Sequence, residues 1–337
     1  MKSEILAALR SADGYVSGQE LCEKFGVSRT AVWKAINQLK QAGYEINKGY
    51  HIVSSPDILS RTELESNRKT TWVGEEIHYF DSTDSTNTRA KRLAEDGAVH
   101  GTLVVADEQT GGRGRRGRAW ESQKGGSVYM SLVLKPEIEP NHASMLTLIT
   151  AMAVAGGIEK TTGLECKIKW PNDIVIHGKK VCGILTEMST QMDYINYIVI
   201  GIGINVQNEA FPEEIGEVAT SLRIESGKKQ NRAAIIEAVW EEFETYYDIY
   251  LKTEDMQGLV GEYNRKLANM NQQVRVLDPK DPYEGTARGI TSKGELIVGS
   301  KKARFVRRGI CAWTLWICVR RAYYVSGRSR ALWCECV

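Results

Sequence analysis

The chain has 337 residues, of which 42% are hydrophobic and 26% are charged, a balance typical of soluble globular proteins. Its length fits two or three domains, each large enough to bury a core. The longest apolar run, at 145–157, is too short to span a bilayer, and the charged N-terminus lacks the apolar stretch of an export signal. We therefore expect a cytoplasmic protein with no membrane partner.

The net charge of +2 is unevenly distributed along the chain. Residues 301–337 hold nine basic residues and one acidic residue, Glu335, which leaves 35 basic and 41 acidic residues in the rest. The same tail holds four of the seven cysteines. The others, Cys22, Cys166 and Cys182, are scattered without metal-ligand spacing, so we expect neither a metal site nor a disulfide framework.

Residues 1–53 predict a winged-helix DNA-binding domain. Two short helices precede a third, which Ser28 caps and Gly43 ends, and "YEINKGYHIV" predicts a hairpin. The third helix buries one apolar stripe and has no acidic residue, so its other face suits a DNA groove. The residues expected to contact operator DNA are Ser28, Arg29, Thr30, Trp33, Lys34 and Asn37. A module that serves only packing or dimerisation is the alternative.

Beyond residue 53 the pattern changes to mixed strands and helices, which predicts an α+β protein overall. Residues 54–70 are predicted to be a linker that runs into a short helix, and residues 71–268 to be a central domain. This domain combines strands such as "GTLVVADEQ" and "YIVIGIGINV" with a buried helix near 141–163 and an amphipathic helix at 232–251. Residues 269–300 predict strands of a small β-barrel.

The most unusual segment is "GGRGRRGRAW", residues 111–120, which holds four glycines and four arginines between two predicted strands. Its glycines let backbone N–H groups turn toward an anion, and its arginines can bind carboxylate or phosphate oxygens. Trp120 offers a flat face for a purine. Composition alone leaves three interpretations open, namely an RNA-binding segment, an anion-binding enzyme loop and a solvated linker.

Three further motifs favour the enzyme. "KWPND" places a proline turn beside Lys169 and Asp173, whose carboxylate could hold Mg²⁺ or only cap a turn. "GKKVCGILTE" places Lys180 and Gly183 near the start of a strand, where a ligand can approach the backbone. "GIGIN", residues 201–205, lacks the third glycine of a dinucleotide fingerprint and suits a strand that passes close under a ligand.

Together these motifs resemble the biotin–protein ligases. "DSTDSTN", "GGRGRRGRAW", "KWPND", "GKKVCGILTE" and "GIGIN" stand in the family's order and spacing, and the N-terminal unit is similar to that of the bifunctional form, which also represses the biotin operon. The resemblance covers about residues 1–300. It implies the class II synthetase-like biotin ligase fold, a central mixed β-sheet with helices, and makes residues 71–268 the biotin- and ATP-binding catalytic domain.

The same resemblance implies substrates and partners. Biotin and ATP would form biotinyl-5′-adenylate, with Mg²⁺ as the counter-ion of ATP, and biotin would then pass to a lysine of the biotin carboxyl carrier protein. The carrier domain and operator DNA are the implied partners. A second copy of the chain is the third implied partner, in a homodimer that forms when the adenylate is bound and acts as corepressor.

The resemblance also assigns roles to individual residues. Those implied in catalysis are Lys180, Arg115, Lys169 and Asp173. Those implied in biotin binding are Ser85, Thr86, Asn87, Gln109, Arg113, Gly114, Arg115, Lys180 and Gly183. Those implied on the nucleotide side are Arg116, Arg118, Trp120, Asn172 and Asn205. Simpler roles stay open for Ser85, as a helix cap, and for Trp120, as a loop anchor, and Cys182 is expected to be a buried strand residue without catalytic duty.

Two other functions stay open. A non-enzymatic repressor that senses biotin would keep the N-terminal unit and a pocket, but would not need Lys169, Asp173 and Lys180 beside a phosphate-type loop. A lipoate-type ligase would share the central fold and the adenylation chemistry.

The C-terminal tail departs from the family. Residues 301–337 lack the alternation and turns typical of closing barrel strands. We therefore expect an incomplete barrel, in which "GELIV" is left as an unpaired edge that invites association.

Overall fold

The structure is a computed structural model of the chain. It describes residues 1–114, 120, 122–191, 194–277 and 282–299, together with the backbone of strands at 304–306, 316–325 and 328–333. None of the helices in these ranges combines the length and the apolar composition that a membrane span requires.

The N-terminal unit contains three helices and an antiparallel hairpin: α1 (Lys2–Ser11), α2 (Gly18–Phe25), α3 (Arg29–Gln41), β1 (Glu45–Ile46) and β2 (Ile52–Ser54). Helix α2 begins at a capping box made by Ser17 and Glu20, and Gly26 ends it in the left-handed conformation. The Ser28 hydroxyl accepts the Ala31 N–H and caps α3, as predicted. The unit has a core of its own, which includes Leu6, Leu21, Ile36 and Leu39.

The segment predicted as a linker contains α4 (Arg61–Asn67) and contacts both of its neighbours. Glu63 of α4 is 1% exposed, forms a 2.6 Å ion pair with Arg10 of α1 and accepts a hydrogen bond from the Tyr44 hydroxyl. Such a buried carboxylate depends on these partners for its stability. Because α4 also packs on the central domain, polar contacts join the N-terminal unit to it.

In the described part of the chain, the central sheet has seven strands: β3 (Ile77–Phe80), β4 (Leu103–Ala106), β5 (Ser127–Leu134), β6 (Lys167–Lys169), β7 (Asp173–Ile176), β8 (Lys179–Gln191) and β9 (Tyr194–Asn205). Their order across the sheet is β3-β4-β5-β9-β8-β7-β6. Strands β3 and β4 are parallel, and the other neighbouring pairs are antiparallel. The predicted mixed sheet is therefore confirmed.

Helices cover both faces of this sheet. Helices α6 (Leu146–Thr162) and α9 (Arg232–Leu251) pack on one face, and α5 (Thr86–Glu95) packs on the other. Helices α6 and α9 meet at Gly157, where a Cβ would lie 2.7 Å from the backbone nitrogen of Val239, so this close approach requires glycine. The shorter helices are α7 (Glu213–Gly216), α8 (Leu222–Ser226) and α10 (Val260–Lys266).

The C-terminal part forms an antiparallel sheet of six described strands: β10 (Gln273–Leu277), β11 (Tyr283–Ile290), β12 (Leu296–Gly299), β13 (Arg304–Val306), β14 (Trp316–Val325) and β15 (Arg328–Trp333). Their order is β13-β12-β11-β10-β14-β15. The two outer strands do not pair with each other within the described residues. The sheet is thus open, which confirms the incomplete barrel.

One expectation about the tail is wrong. Strand β12, which contains most of "GELIV", is not an edge, because it pairs with β11 on one side and β13 on the other. The tail supplies three strands, and β14 pairs with β10 some 40 residues earlier, from Val274 opposite Val319 to Leu277 opposite Trp316. Backbone pairing between such distant segments leaves no signal in the local sequence. The missing alternation of polar and apolar residues in 301–337 therefore does not indicate whether strands form there.

Candidate active site

The first turn of α5 lies against β4 and β5 and brings four polar side chains together. The Oε1 atom of Gln109 accepts the Thr86 N–H at 2.8 Å and the Thr86 hydroxyl at 3.1 Å. The Ser131 hydroxyl of β5 lies 2.8 Å from the Thr86 hydroxyl and 2.6 Å from Oδ1 of Asn87. Thr86, Asn87 and Ser131 are all buried. Three of the predicted biotin residues are therefore neighbours, and Ser131 connects them.

The turn before α5 is held by Asp84. Ser85 occupies the N-cap position, but its side chain makes no capping hydrogen bond. Instead, Oδ1 of Asp84 accepts the Ser85 N–H at 2.8 Å and the Thr83 hydroxyl at 3.0 Å. Burial alone would raise the pKa of Asp84, but these hydrogen bonds and the charges of Arg92 and Arg89 lower it. The side chain of Ser85 is thus not a helix cap.

Asn87 is enclosed by β8 and β9. Its Nδ2 atom donates to Oε2 of Glu187 at 2.8 Å and to the Leu185 carbonyl at 3.3 Å. Gly201 of "GIGIN" lies against the same amide, since a Cβ on Gly201 would be 2.0 Å from Oδ1 of Asn87. The sequence predicts a ligand close to this strand. At Gly201 the group that lies against the backbone is the Asn87 side chain.

Trp120 lies across two other glycines of these strands. A Cβ on Gly183 or on Gly203 would come within 2.8 Å of its indole ring. The indole Nε1 is buried and has no hydrogen-bond partner in the described part of the chain. The Lys180 ammonium lies 5.5 Å from the ring centroid, within the range of a cation–π contact. Trp120 thus covers the parts of β8 and β9 that the motifs single out.

Lys180 and Asp173 form an ion pair beside this ring. Nζ of Lys180 lies 3.0 Å from Oδ1 of Asp173, and Nδ2 of Asn172 donates to the same oxygen at 3.0 Å. Lys169 is opposite Asp173 in the β6–β7 register, across a turn with a cis Trp170-Pro171 peptide. The two lysine motifs, which flank strand β7, are thus adjacent at one end of the sheet.

The remaining predicted residues are less closely grouped. Nδ2 of Asn205 donates to the Thr220 carbonyl at 3.1 Å. Arg113 is exposed and Gly114 is partly buried. Cys182 is fully buried, as expected, and burial raises the pKa of its thiol well above the usual value, which keeps it neutral. The predictions for Arg115, Arg116 and Arg118 lie outside the described residues.

Sequence reasoning missed several residues around the site. Ser131 was hidden inside the apolar run "SVYMSLVL", and its polarity within that run was the available signal. Glu187 ends the motif "GKKVCGILTE", in which the resemblance assigns site roles only to Lys180 and Gly183. Arg232 of α9 is 3% exposed and pairs with Asp57 at 3.2 Å and Asp107 at 2.7 Å, a convergence of distant segments with no local signal.

The residues predicted to contact DNA share one face of α3. Those that are exposed are Ser28, Arg29, Thr30, Trp33 and Lys34, and Asn37 is partly buried. Trp33 is 62% exposed, which is unusual for so large an apolar side chain. The neighbouring α3 positions Val32, Ala35, Ile36 and Leu39 are buried, as the apolar stripe predicted.

Comparison with known proteins matches three parts of the chain. Residues 2–55 match the HTH domain, residues 79–205 the biotin/lipoate A/B protein ligase family, and residues 270–302 the biotin protein ligase C terminal domain. The chain is 40% identical to the bifunctional ligase/repressor BirA of Bacillus spizizenii, over 86% of this chain and 90% of that relative. This chain belongs to the bifunctional ligase/repressor family.

Other relatives agree with this membership. The bifunctional ligase/repressor BirA of Escherichia coli is 28% identical over 87% of this chain and 91% of its own length. Among solved structures, the biotin protein ligase from Aquifex aeolicus in complex with biotin and ATP superposes with a TM-score of 0.64 at 29% identity, covering 72% of this chain and 98% of that one. The predicted biotin ligase fold and N-terminal helix–turn–helix are confirmed.

Proposed function

We propose that this family member activates biotin with ATP and transfers it to a lysine of the biotin carboxyl carrier protein. The observation that carries the proposal is the Lys180–Asp173 pair beside the Trp120 ring, at the strand ends that hold Gly183 and Gly203. A carboxylate and a nucleotide phosphate repel each other, so their reaction needs cationic groups and a shaped surface at one place. The similar Aquifex aeolicus ligase is described as a complex with biotin and ATP, which supports both substrates.

Two transfer steps make up the reaction. A carboxylate oxygen of biotin attacks the α-phosphorus of ATP, and the bond to pyrophosphate breaks. Lys180 binds the carboxylate and a reacting phosphate oxygen, where its charge stabilises the transition state. The amine of the carrier lysine then attacks the acyl carbon, and AMP leaves, so no side-chain nucleophile is required.

The proposed substrate positions follow the two clusters. Biotin lies against the cluster of Ser85, Thr86, Asn87 and Gln109, with Arg113, Gly114 and Arg115 over it. The nucleotide lies toward Trp120 and Asn205, with Asn172 and Lys169 beside it and Arg116 and Arg118 near its phosphates. Asp173 would hold Mg²⁺ only together with phosphate oxygens and water, since its Oδ1 already accepts from Lys180 and Asn172. The ion would neutralise phosphate charge.

The test of ligation follows each product. The full chain is incubated with biotin and labelled ATP, and released pyrophosphate is measured. A carrier domain is then added and examined by mass spectrometry for one added biotin. Biotin binding without pyrophosphate release would favour the sensing repressor, and preferential use of lipoate in a competition assay would favour the lipoate-type ligase.

We also propose that the N-terminal unit represses the biotin operon in the cytoplasm. Its exposed α3 face carries Arg29 and Lys34 for phosphates and Trp33 for bases, which supports a winged-helix contact with the major groove. Biotinyl-5′-adenylate would act as corepressor by favouring a homodimer on a palindromic operator. Operator affinity is measured with and without biotin and ATP, and equal affinities would contradict this coupling.

A further inference from the structure

Glu187 of β8 links the buried Asn87 to the protein surface. One carboxylate oxygen of Glu187 accepts from Nδ2 of Asn87 at 2.8 Å, and the other pairs with the Lys91 ammonium of α5. The side chains of Glu187 and Lys91 are 35% and 36% exposed, whereas Asn87 is 6% exposed. A partly exposed ion pair thus holds a buried amide.

This contact, together with the Leu185 carbonyl, decides which way the Asn87 amide faces. A carboxylate only accepts hydrogen bonds, so the Nδ2 end of Asn87 must point toward Glu187. The Leu185 carbonyl, at 3.3 Å, is the weaker of the two acceptors. The Oδ1 end is consequently directed at the Ser131 hydroxyl, 2.6 Å away.

The orientation of Asn87 then fixes the hydroxyl of Ser131. A serine hydroxyl has one proton, and an amide oxygen can only accept, so this proton goes to Asn87. With its proton on Asn87, the Ser131 oxygen can only accept from the Thr86 hydroxyl, 2.8 Å away, so the single Thr86 proton goes either to Ser131 or to Oε1 of Gln109. Thr86 in turn contacts Oε1 of Gln109. Glu187 therefore orders the donors and acceptors of Asn87 and Ser131, and Oε1 of Gln109 accepts the Thr86 N–H in either case.

We propose that Glu187 is a positioning residue for biotin, which acts through Asn87 and Ser131 and does not touch the ligand. The inference rests on the proposed function, since it takes the wall of Thr86 and Gln109 as the place where biotin binds. The ring system of biotin carries both N–H donors and a carbonyl acceptor. If the Ser131 hydroxyl reverses, the donors and acceptors next to biotin change with it. A donor of biotin then faces a donor of the protein, or an acceptor faces an acceptor, and binding is weaker.

The first variant is Glu187→Ala. Biotin binding is measured by calorimetric titration without ATP, and pyrophosphate release is measured at varied biotin and ATP. We expect the Kd and KM for biotin to rise about tenfold, and the KM for ATP and kcat at saturating biotin to stay within about twofold of wild type. Glu187→Gln keeps an oxygen that accepts from Asn87, so the conservative variant restores most of the affinity for biotin.

The matched control is Glu95→Gln at the other end of α5. Glu95 accepts from the Tyr197 hydroxyl at 3.0 Å, so this variant also alters a carboxylate hydrogen bond on the same helix. We expect it to bind biotin as wild type does. Unchanged biotin affinity in Glu187→Ala, or equal losses in both variants, would overturn the inference.

Two outcomes separate this inference from the proposed function. Wild-type protein that binds no biotin would contradict the proposed function, whereas wild-type binding that Glu187→Ala does not weaken contradicts only the role of Glu187. If Glu187→Ala melts at a lower temperature than wild type, its biotin Kd is measured at a temperature at which the variant is fully folded, and an unchanged Kd there contradicts the inference.

Discussion

Replacing Gly201 by alanine tests the pocket by adding a single methyl group. This methyl would lie 2.0 Å from Oδ1 of Asn87, whereas ordinary contacts begin at about 3.4 Å. Strand β9 is held by β5 and β8 on its two sides, so Asn87 must move by about 1.4 Å. That movement breaks the hydrogen bonds of Asn87 to Ser131 and Glu187.

The expected cost has two parts. Overpacking of a well-packed interior costs about 1–3 kcal/mol. A buried amide that loses its partners costs about another 1–3 kcal/mol. We therefore expect Gly201→Ala to lower the free energy of unfolding by about 2–6 kcal/mol and to abolish measurable biotin binding. Gly216→Ala in α7 is the control, since its Cβ would lie 3.7 Å from the nearest atom and should change neither quantity.

A double-mutant cycle tests the mechanism itself. Unfolding by urea is measured for wild type, Gly201→Ala, Asn87→Ala and the double variant. With Asn87 truncated, the added methyl meets no amide, so we expect Gly201→Ala to cost less than about 1 kcal/mol in that background. An equal cost in both backgrounds would refute the argument, because the strain would then come from another contact of Gly201.

Three further changes have defined outcomes. Lys180→Ala should slow adenylate formation on the order of a hundredfold, and pyrophosphate release near the wild-type rate would remove Lys180 from the reaction. Deletion of residues 1–53 should abolish operator binding in a gel-shift assay and spare carrier biotinylation, so loss of both activities would contradict independent roles. Burial lowers the pKa of His100, and its Nδ1 accepts the Lys135 N–H at 3.0 Å, so the folded protein favours the neutral ring. The stabilisation is full above the ordinary pKa of 6.5 and is lost as the pH falls below it. The free energy of unfolding in urea should therefore fall more between pH 7 and pH 5 for wild type than for His100→Asn. Parallel pH dependences of the two proteins would contradict this.

Local signals predicted the elements well. Ser17, Gly26 and Ser28 set the ends of α2 and α3 through short-range hydrogen bonds and one left-handed residue, so the helix boundaries could be read from a few neighbouring positions. The glycines of "GIGIN" indicated a close approach to β9. The spacing of these glycines indicated that other atoms approach the backbone of β9. It did not indicate that these atoms belong to the side chains of Asn87 and Trp120.

Side-chain contacts that depend on strand pairing could not be predicted in this way. The ion pair of Lys180 with Asp173 requires the β7–β8 register, in which Asp173 stands opposite Gly183. Pairing of β14 with β10 likewise depends on backbone groups that every residue carries. A sequence pattern reports which faces are apolar, and it does not report which strand becomes the neighbour.

Arg232 shows the same limit in its contacts with segments distant in sequence. Burying a guanidinium is unfavourable unless carboxylates and carbonyls surround it, and here Asp57 from the segment after β2 supplies one of those carboxylates. Asp57 also accepts from Gln207 at 2.6 Å, two residues after Asn205. Asp107, the second carboxylate that pairs with Arg232, stands two residues before Gln109 in the sequence. Arg232 and Asp57 thus connect chain positions that stand two residues from Gln109 and from Asn205, and no motif contains either of them.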